Sequence, residues 1–353
     1  MLPNNKPYII GETAFHHQGE MDYLKKLILS AADLKLDAIK FHLLFQVDDY
    51  FVQSHPAFET IKQWTFTGDE WQEIFDFAHN NGLDIIALCN DVASLRWINN
   101  VCKTPVSVVE IHATGINDIF LLDESAQFSE TVMLGVGGSN LEQLNFAITY
   151  LKNLGKNDIF LMYGFQNYPT DYKDINLSKI ELIKNIFKLP VGYADHTDPK
   201  DKFNAIITAS AIFKGVNVLE KHFTLDVNEK RVDSQAAVSL DHMKEIKDIS
   251  EIYYLSNGNG GLKMSDAEKK YGDVGPMKKA IVARKNIPEG TILTIDDLAY
   301  KRTTESSYLS QQDLLHLVGS KTKMNVTKDE IIDYNKVNYK FNVAETKQFF
   351  NNK

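Results

Sequence analysis

Short apolar, β-branched runs alternate with amphipathic segments along the first two thirds of the chain. The apolar runs are bounded by turn residues, a pattern typical of buried parallel strands. Between the runs, apolar residues recur at the spacing of one helix face. Eight strands are predicted: Tyr8–Thr13, Ala38–Leu44, Leu83–Asn90, Ser107–Ala113, Thr131–Gly138, Asp158–Phe165, and two runs ending in Asp195-His196-Thr197 and Glu220-Lys221-His222.

Helical segments lie between most of these strands. The predicted helices include Tyr23–Leu36, Glu70–Asn80, Leu141–Leu154 and Lys200–Lys214, whereas Phe45–Asp69 is predicted to be a long loop. Eight strands alternating with helices are typical of a closed (β/α)8 TIM barrel, with a doubly wound open sheet as the alternative α/β fold.

The pattern changes after Asp241. A further helix, Met243–Leu255, is followed by a glycine-rich break and then by short apolar runs separated by turn residues such as Pro288-Glu289-Gly290. We therefore predict a barrel domain over residues 1–258, a linker over 259–275 and a small, mostly β domain over 276–341.

Two histidines stand at the carboxyl ends of the last two predicted strands. His196 follows Asp195, and His222 lies two residues after Glu220. Active sites of α/β barrels are built at this end of the strands. The alternative is a pair of hydrogen-bonded, buried histidines, but matched positions beside acidic residues favour function. If two imidazoles bind a metal ion, most of its coordination positions stay open for substrate and water, as a Lewis-acid role requires.

Composition and charge narrow the possible partners. The chain is 44% hydrophobic and 24% charged, and its formal net charge is −9, which argues against nucleic acid or an anionic membrane. No apolar run is long enough to span a bilayer. The two cysteines form neither a metal motif nor a disulfide framework, and no secretory signal is recognisable. These observations predict a cytoplasmic protein.

Several motifs together resemble the sialic acid (N-acetylneuraminate) synthase family. The two histidine motifs, Gly192–Thr197 and Glu220–Asp226, match in order and spacing. The stretches IIGET with FHHQGE, LDAIKFH and NYPTDYKDINL agree as well, and ARKNIPEGTILTIDDLAYKR with LVGSK resembles the antifreeze-like (SAF) domain of those enzymes. The resemblance covers almost the whole chain.

The resemblance implies a transferase that joins phosphoenolpyruvate to an N-acylated hexosamine aldehyde. The product would be a nine-carbon 2-keto acid of the neuraminic, legionaminic or pseudaminic kind, formed with release of phosphate. His196 and His222 would hold a divalent metal, with Mn²⁺ expected and Mg²⁺ or Co²⁺ as alternatives. The implied catalytic residues are Lys40, Glu12, Asp195 and Glu220, and the implied substrate-binding residues are His17, His42, Tyr168, Asp233 and Arg302. Because Arg302 would be lent by the SAF domain of one subunit to the other, a domain-swapped homodimer is implied.

The positions that match the family's phosphate contacts are divergent. Glu110 and Ala113 stand where the family has Lys and Ser, and Cys89 stands where it has Thr. A carboxylate at residue 110 is expected to repel phosphate. Two alternatives therefore stay open: a metal-dependent barrel enzyme of the same family acting on a different donor, and a non-catalytic sugar-binding homologue. His16 and His17 with His42 could also form a second metal or proton-transfer site.

Overall fold

The computed structural model describes residues 2, 6–258 and 260–339 and forms two compact units, Met1–Asn259 and Gly260–Lys353. In the first unit, eight parallel strands close into a barrel in chain order, with the first strand paired to the eighth. The strands are β1 (Tyr8–Glu12), β2 (Ala38–Leu43), β3 (Asp84–Cys89), β4 (Val108–Ile111), β5 (Thr131–Gly135), β6 (Ile159–Tyr163), β7 (Val191–Asp195) and β8 (Val218–His222). The closed barrel is confirmed over the open sheet.

Helices cover the outside of the barrel. They are α1 (Met21–Asp33), α2 (Val47–Tyr50), α3 (Phe58–Trp64), α4 (Gly68–Asn80), α5 (Val92–Asn100), α6 (Ile119–Ser125), α7 (Leu141–Asn153), α8 (Tyr172–Ile175), α9 (Ser178–Phe187), α10 (Asn204–Ser210) and α11 (Leu240–Asn257). The starts of α4 and α7 are set by capping boxes, Thr67 with Glu70 and Asn140 with Gln143.

Two predicted boundaries are wrong. The segment predicted as the loop Phe45–Asp69 contains α2 and α3, of four and seven residues, which are too short to show a helical period in the sequence. The segment predicted as the helix Lys200–Lys214 becomes helical only at Asn204, and its last turn, Ala211–Lys214, is a 3₁₀ helix.

Side chains inside the barrel are segregated along its axis. Because alternate residues of a strand face the same side, the inward positions are even-numbered on most strands. An apolar cluster fills the amino-terminal layers and includes Tyr8, Ile10, Ala38, Val108 and Val218. Two and four residues further along these same strands come the charged residues and histidines described below. The barrel therefore places its polar side chains at the carboxyl ends of the strands, above an apolar core.

The second unit is small. Its strands β9 (Ala280–Ala283) and β10 (Leu298–Lys301) pair antiparallel, and its helices are α12 (Asp266–Gly272) and α13 (Leu314–Leu317). A separate buried cluster around Ile281, Leu317 and Ile332 gives this unit its own core. The predicted linker 259–275 contains α12, and the last two residues of the predicted domain 276–341 lie outside the described residues. Among the described helices, none has both the length and the apolar character that crossing a membrane requires.

Two glycines allow close contact between strand ends at the mouth of the barrel. A Cβ on Gly164 would lie 2.1 Å from the carbonyl oxygen of Ala194, and one on Gly137 would lie 2.0 Å from that of Gly164. Neither approach is sterically allowed. The ends of β5, β6 and β7 therefore pack against one another only without side chains at these positions.

We expect Gly164→Ala to lower the free energy of unfolding by about 2–3 kcal/mol, since the backbone must move to admit the methyl group. Urea denaturation followed by tryptophan fluorescence measures this for the barrel, because Trp64, Trp71 and Trp97 all lie in the first unit. Gly82→Ala is the control: its Cβ would meet nothing within 4 Å, although φ is +80°. That control should lose only about 1 kcal/mol, and an equal loss in both variants would contradict the close-contact argument.

Candidate active site at the barrel mouth

A lysine surrounded by three carboxyl groups forms the floor of the site. Lys40 Nζ lies 2.6 Å from Glu12 Oε2, 3.0 Å from Glu110 Oε2 and 2.8 Å from Glu220 Oε1. All four side chains are buried. The residues come from β1, β2, β4 and β8, so the floor depends on closure of the barrel.

Burial and pairing oppose each other in this group. Burial alone would lower the pKa of Lys40, but the charges of Glu110 and Glu220 raise it above its ordinary value. The pKa of Glu110 is raised to about 7, mainly by burial, against the attraction of Lys40. We conclude that Lys40 is charged and already neutralised by protein carboxylates.

His196 and His222 lie together above this floor. Their ring centroids are 5.2 Å apart, and the Tyr168 ring lies edge-on at 5.4 Å from His196 and 6.3 Å from His222. Burial lowers the pKa of His196 to about 3 and that of His222 well below its ordinary value. Both imidazoles are therefore neutral and keep a lone pair for a ligand.

These two rings fit a divalent metal ion. His196 Nδ1 and Glu220 Oε2 are buried atoms without a hydrogen-bond partner among the described residues. Neutral imidazole nitrogen is the commonest metal ligand in proteins, and the oxygen ligands that Mn²⁺ favours would come from a carboxylate, substrate or water. Within the described ranges, no group of three or more His, Cys, Asp or Glu side chains is arranged to hold a metal. Substrate or water would thus have to fill the other positions.

Two contributors to the site are absent from the predicted site residues, Glu110 and His112. His112 lies 6.2 Å from His42 between ring centroids, and its Nε2 is 2.9 Å from Gln166 Nε2. His42 Nε2 in turn lies 3.3 Å from Glu12 Oε1. Burial lowers the pKa of His112 to about 4 and that of His42 well below its ordinary value. Strand alternation could have identified these residues, because Glu110 and His112 repeat the two-residue spacing of Lys40 and His42.

Asp195 is placed on the other side of the barrel wall. Its Oδ2 lies 2.5 Å from Lys221 Nζ, and it accepts hydrogen bonds from the hydroxyls of Tyr193, Thr197 and Thr208. Thr208 belongs to α10, so the network joins β7 and β8 to a helix outside the barrel. The structure therefore brings Glu12, Lys40, His42 and Glu220 together, but not Asp195, which holds the strands that carry His196 and His222.

The other predicted substrate-binding residues lie at different depths. His17 is fully buried, stacks on Phe66 at 4.8 Å and has its pKa lowered by burial to about 3. Asp233 lies in the loop after β8, and burial raises its pKa to about 6. Burial and the charges of Asp233 and Glu220 raise the pKa of Tyr168. Arg302 lies in the second unit, where it donates to the carbonyl oxygen of Pro276.

The prediction that His16 takes part in a second metal or proton-transfer site, together with His17 and His42, is wrong. Its Nδ1 lies 2.6 Å from the Val232 carbonyl oxygen, and its Nε2 lies 2.9 Å from Thr224 Oγ1. Both ring nitrogens are therefore occupied by contacts within the protein.

Comparison with known proteins supports the predicted family. The NeuB family model matches residues 27–261, and the SAF domain model matches residues 278–338. An N,N'-diacetyllegionaminic acid synthase of Campylobacter jejuni is 28% identical over 345 residues, covering 93% of this chain and 99% of its own. An uncharacterised protein of Methanocaldococcus jannaschii is 29% identical over 328 residues, covering 92% of this chain and 93% of its own.

A solved structure agrees with these relatives. The N-acetylneuraminic acid (sialic acid) synthetase of Leptospira borgpetersenii, in complex with citrate, superposes with a TM-score of 0.68 at 25% identity. That match covers 76% of this chain and 90% of the other. With the family model matching well over half of its residues, the chain belongs to the NeuB family, and it is an enzyme of the synthase type.

Proposed function

We propose that the protein is a nonulosonic acid synthase, which condenses phosphoenolpyruvate with an N-acylated hexosamine aldehyde. The product is a nine-carbon 2-keto acid, and phosphate is released. The observation that carries this proposal is the pair of neutral, buried imidazoles of His196 and His222, 5.2 Å apart at the carboxyl ends of neighbouring strands. The synthase relatives of the chain support the same reaction class.

His196 and His222 would hold the divalent metal, for which Mn²⁺ is the first candidate. A bound divalent ion supplies Lewis-acid polarisation of an aldehyde oxygen. Around it, Tyr168 forms an edge of the sugar site, and Asp233 offers a carboxyl group to sugar hydroxyls. Glu220 Oε2, which has no hydrogen-bond partner among the described residues, is available to accept a proton from the water that adds to the donor.

One observation favours a second candidate, a synthase of the same family with a different donor. Phosphoenolpyruvate carries several negative charges, and a site that binds it normally supplies free cationic or hydrogen-bonding groups. Here the ammonium group of Lys40 is shared by three carboxyls. His42 and His112 are neutral because burial lowers their pKa values. A less highly charged donor would suit this floor better than a phosphorylated one.

We also propose that the protein is a homodimer with exchanged SAF domains and that it acts in the cytoplasm. The SAF domain match supports the first proposal, through the expected contribution of Arg302 to the partner's site. The free thiols of Cys89 and Cys102 suit a reducing compartment.

The test is phosphate release from phosphoenolpyruvate by purified protein with Mn²⁺ and a panel of N-acylated hexosamines. We expect turnover with at least one sugar. His196→Ala and His222→Ala should each lower it by about a thousandfold, because the remaining imidazole holds the metal poorly. His79→Ala, at an exposed position of α4, is the matched control and should be fully active.

The alternatives give different results. Calorimetric binding of Mn²⁺ without any binding of phosphoenolpyruvate would favour the second candidate. Biological activity that survives replacement of both His196 and His222 by Ala would contradict catalysis and indicate a sugar-binding homologue.

A further inference from the structure

The loop that carries Asp233 is fastened to the loop that follows the first strand. The β8–α11 loop, residues 223–239, is closed at its base because Val238 N–H donates to the His222 carbonyl and Thr224 N–H to the Val238 carbonyl. Its far end packs on the β1–α1 loop, residues 13–20. Asp233 has φ of +61°, a left-handed conformation that side chains rarely adopt. Such a conformation is strained for a residue with a side chain, so the surroundings must hold it.

Arg231 makes the first connection between the two loops. Its guanidinium lies 3.6 Å from the centroid of the Tyr23 ring, and its Nη1 donates to the carbonyl oxygen of His16 at 3.2 Å. Its Nη2 also forms ion pairs with Glu20 at 3.2 Å and Glu229 at 2.6 Å. The side chain is only 7% exposed. A planar guanidinium can stack and bridge in this way, whereas an ammonium group cannot.

His16 makes the second connection, at the residue immediately before Asp233. The Val232 carbonyl can only accept, so the proton must be on Nδ1 of His16. Burial lowers the pKa of His16, so the ring is neutral and Nε2 accepts from the Thr224 hydroxyl. This one tautomer satisfies both contacts and joins the start of the β8–α11 loop to the residue before Asp233.

We infer that Arg231 and His16 are positioning residues, which fix Asp233 in its left-handed conformation and thereby set the affinity for the hydroxyl groups of the acceptor sugar. This inference rests on the proposed function, because it takes Asp233 as a sugar ligand. Neither residue contacts Lys40, His196 or His222 through any hydrogen bond or ion pair of the described chain. Their effect should therefore fall on the acceptor, and not on the metal or the donor.

The kinetic test uses Arg231→Ala, His16→Ala and His16→Asn, whose side-chain amide can still donate to the Val232 carbonyl. Arg231→Ala and His16→Ala should raise KM for the acceptor sugar about tenfold. This is the size expected when one hydrogen bond between the Asp233 carboxylate and a sugar hydroxyl is lost. KM for phosphoenolpyruvate and the affinity for Mn²⁺ should be unchanged. His16→Asn should recover most of the acceptor affinity.

A double-mutant cycle shows whether these residues act through Asp233. In an Asp233→Asn background, Arg231→Ala should have much less effect on the acceptor KM than it has alone. Full additivity of the two effects would overturn the inference, and so would a loss of stability with an unchanged acceptor KM.

A measurement without turnover separates this inference from the proposed function. Hydrogen exchange of the backbone amides in residues 226–238 should be about tenfold faster or more in Arg231→Ala and His16→Ala, with barrel strands unaffected. Absence of turnover in the unaltered protein would contradict the proposed function alone. Unchanged exchange in the loop would overturn the positioning role whatever the reaction.

Discussion

Lys40→Met is expected to lower the free energy of unfolding by about 3–5 kcal/mol near neutral pH, because it removes the cation that contacts three buried carboxyl groups. Methionine fills a similar volume, so the loss reports charge and not a cavity. Urea denaturation followed by tryptophan fluorescence measures it. Condensation activity should also disappear, since the floor of the site is no longer held together.

The size of this loss should depend on pH. The pKa of Glu110 is raised to about 7 in the folded protein. Between the pKa of the unfolded chain and 7, the folded state therefore binds a proton that the unfolded state has released, and stability is lost as pH rises through this range. Without Lys40, the pKa of Glu110 should rise further, because the attraction of Lys40 that opposes the effect of burial is lost. The variant should therefore be markedly more stable at about pH 5 than at about pH 8, by a wider margin than the unaltered protein.

Two further variants serve as controls for this prediction. Lys26→Met changes an exposed lysine of α1 and should alter stability by less than about 0.5 kcal/mol. Adding Glu110→Gln to Lys40→Met should recover part of the loss at high pH, because one buried charge is removed. Equal stability of Lys40→Met and the unaltered protein across this pH range would show that Lys40 does not stabilise the buried carboxyl groups around it.

Sequence periodicity was sufficient to predict the barrel. The two-residue period of a strand places Lys40 and His42 on the same side of β2, and Asp195 and His196 on opposite sides of the chain. Periodicity does not reveal which inward residues of distant strands share a layer, because that depends on the stagger of the closed barrel. Glu110 and Glu220 meet at Lys40 only through closure, although 110 residue positions separate them in the sequence.

The significance of Glu110 illustrates this limit. Glu110 stands where the family has a lysine, and the sequence alone therefore predicts that residue 110 repels phosphate. This prediction treats the carboxyl as a free charge. In the folded chain the carboxyl is paired with Lys40, so the effect on an anionic donor comes from the loss of a free cation more than from a free anion. Pairing of this kind cannot be inferred from a substitution at one position.

His16 shows a second limit. Adjacent histidines suggest metal or proton chemistry, but the main partner of His16 is a backbone carbonyl 216 residues further along the chain. Every residue has a backbone carbonyl, so no residue type in the sequence marks the acceptor. Only the folded loop arrangement identifies His16 as a structural contact of the Asp233 loop.

Lys221→Met is the second large effect that we expect. Lys221 and Asp195 form a fully buried pair 2.5 Å apart, between the barrel wall and α10. Burial would raise the pKa of Asp195, but the charge of Lys221 holds it below its ordinary value. Removing Lys221 leaves a buried carboxylate whose remaining partners in the described part of the chain are the hydroxyls of Tyr193, Thr197 and Thr208, and should cost about 3–5 kcal/mol of stability.

The same change should weaken metal binding without touching a metal ligand. Asp195 and Lys221 immediately precede His196 and His222, so their pairing fixes how the ends of β7 and β8 present the two rings. We expect Mn²⁺ affinity, measured by calorimetry below the unfolding transition, to fall about tenfold or more in Lys221→Met. The double variant Asp195→Asn with Lys221→Met removes both charges at similar volume and should regain most of the stability. If Lys221→Met loses stability but binds Mn²⁺ as tightly as the unaltered protein, the pair supports the barrel wall and has no part in orienting His196 and His222.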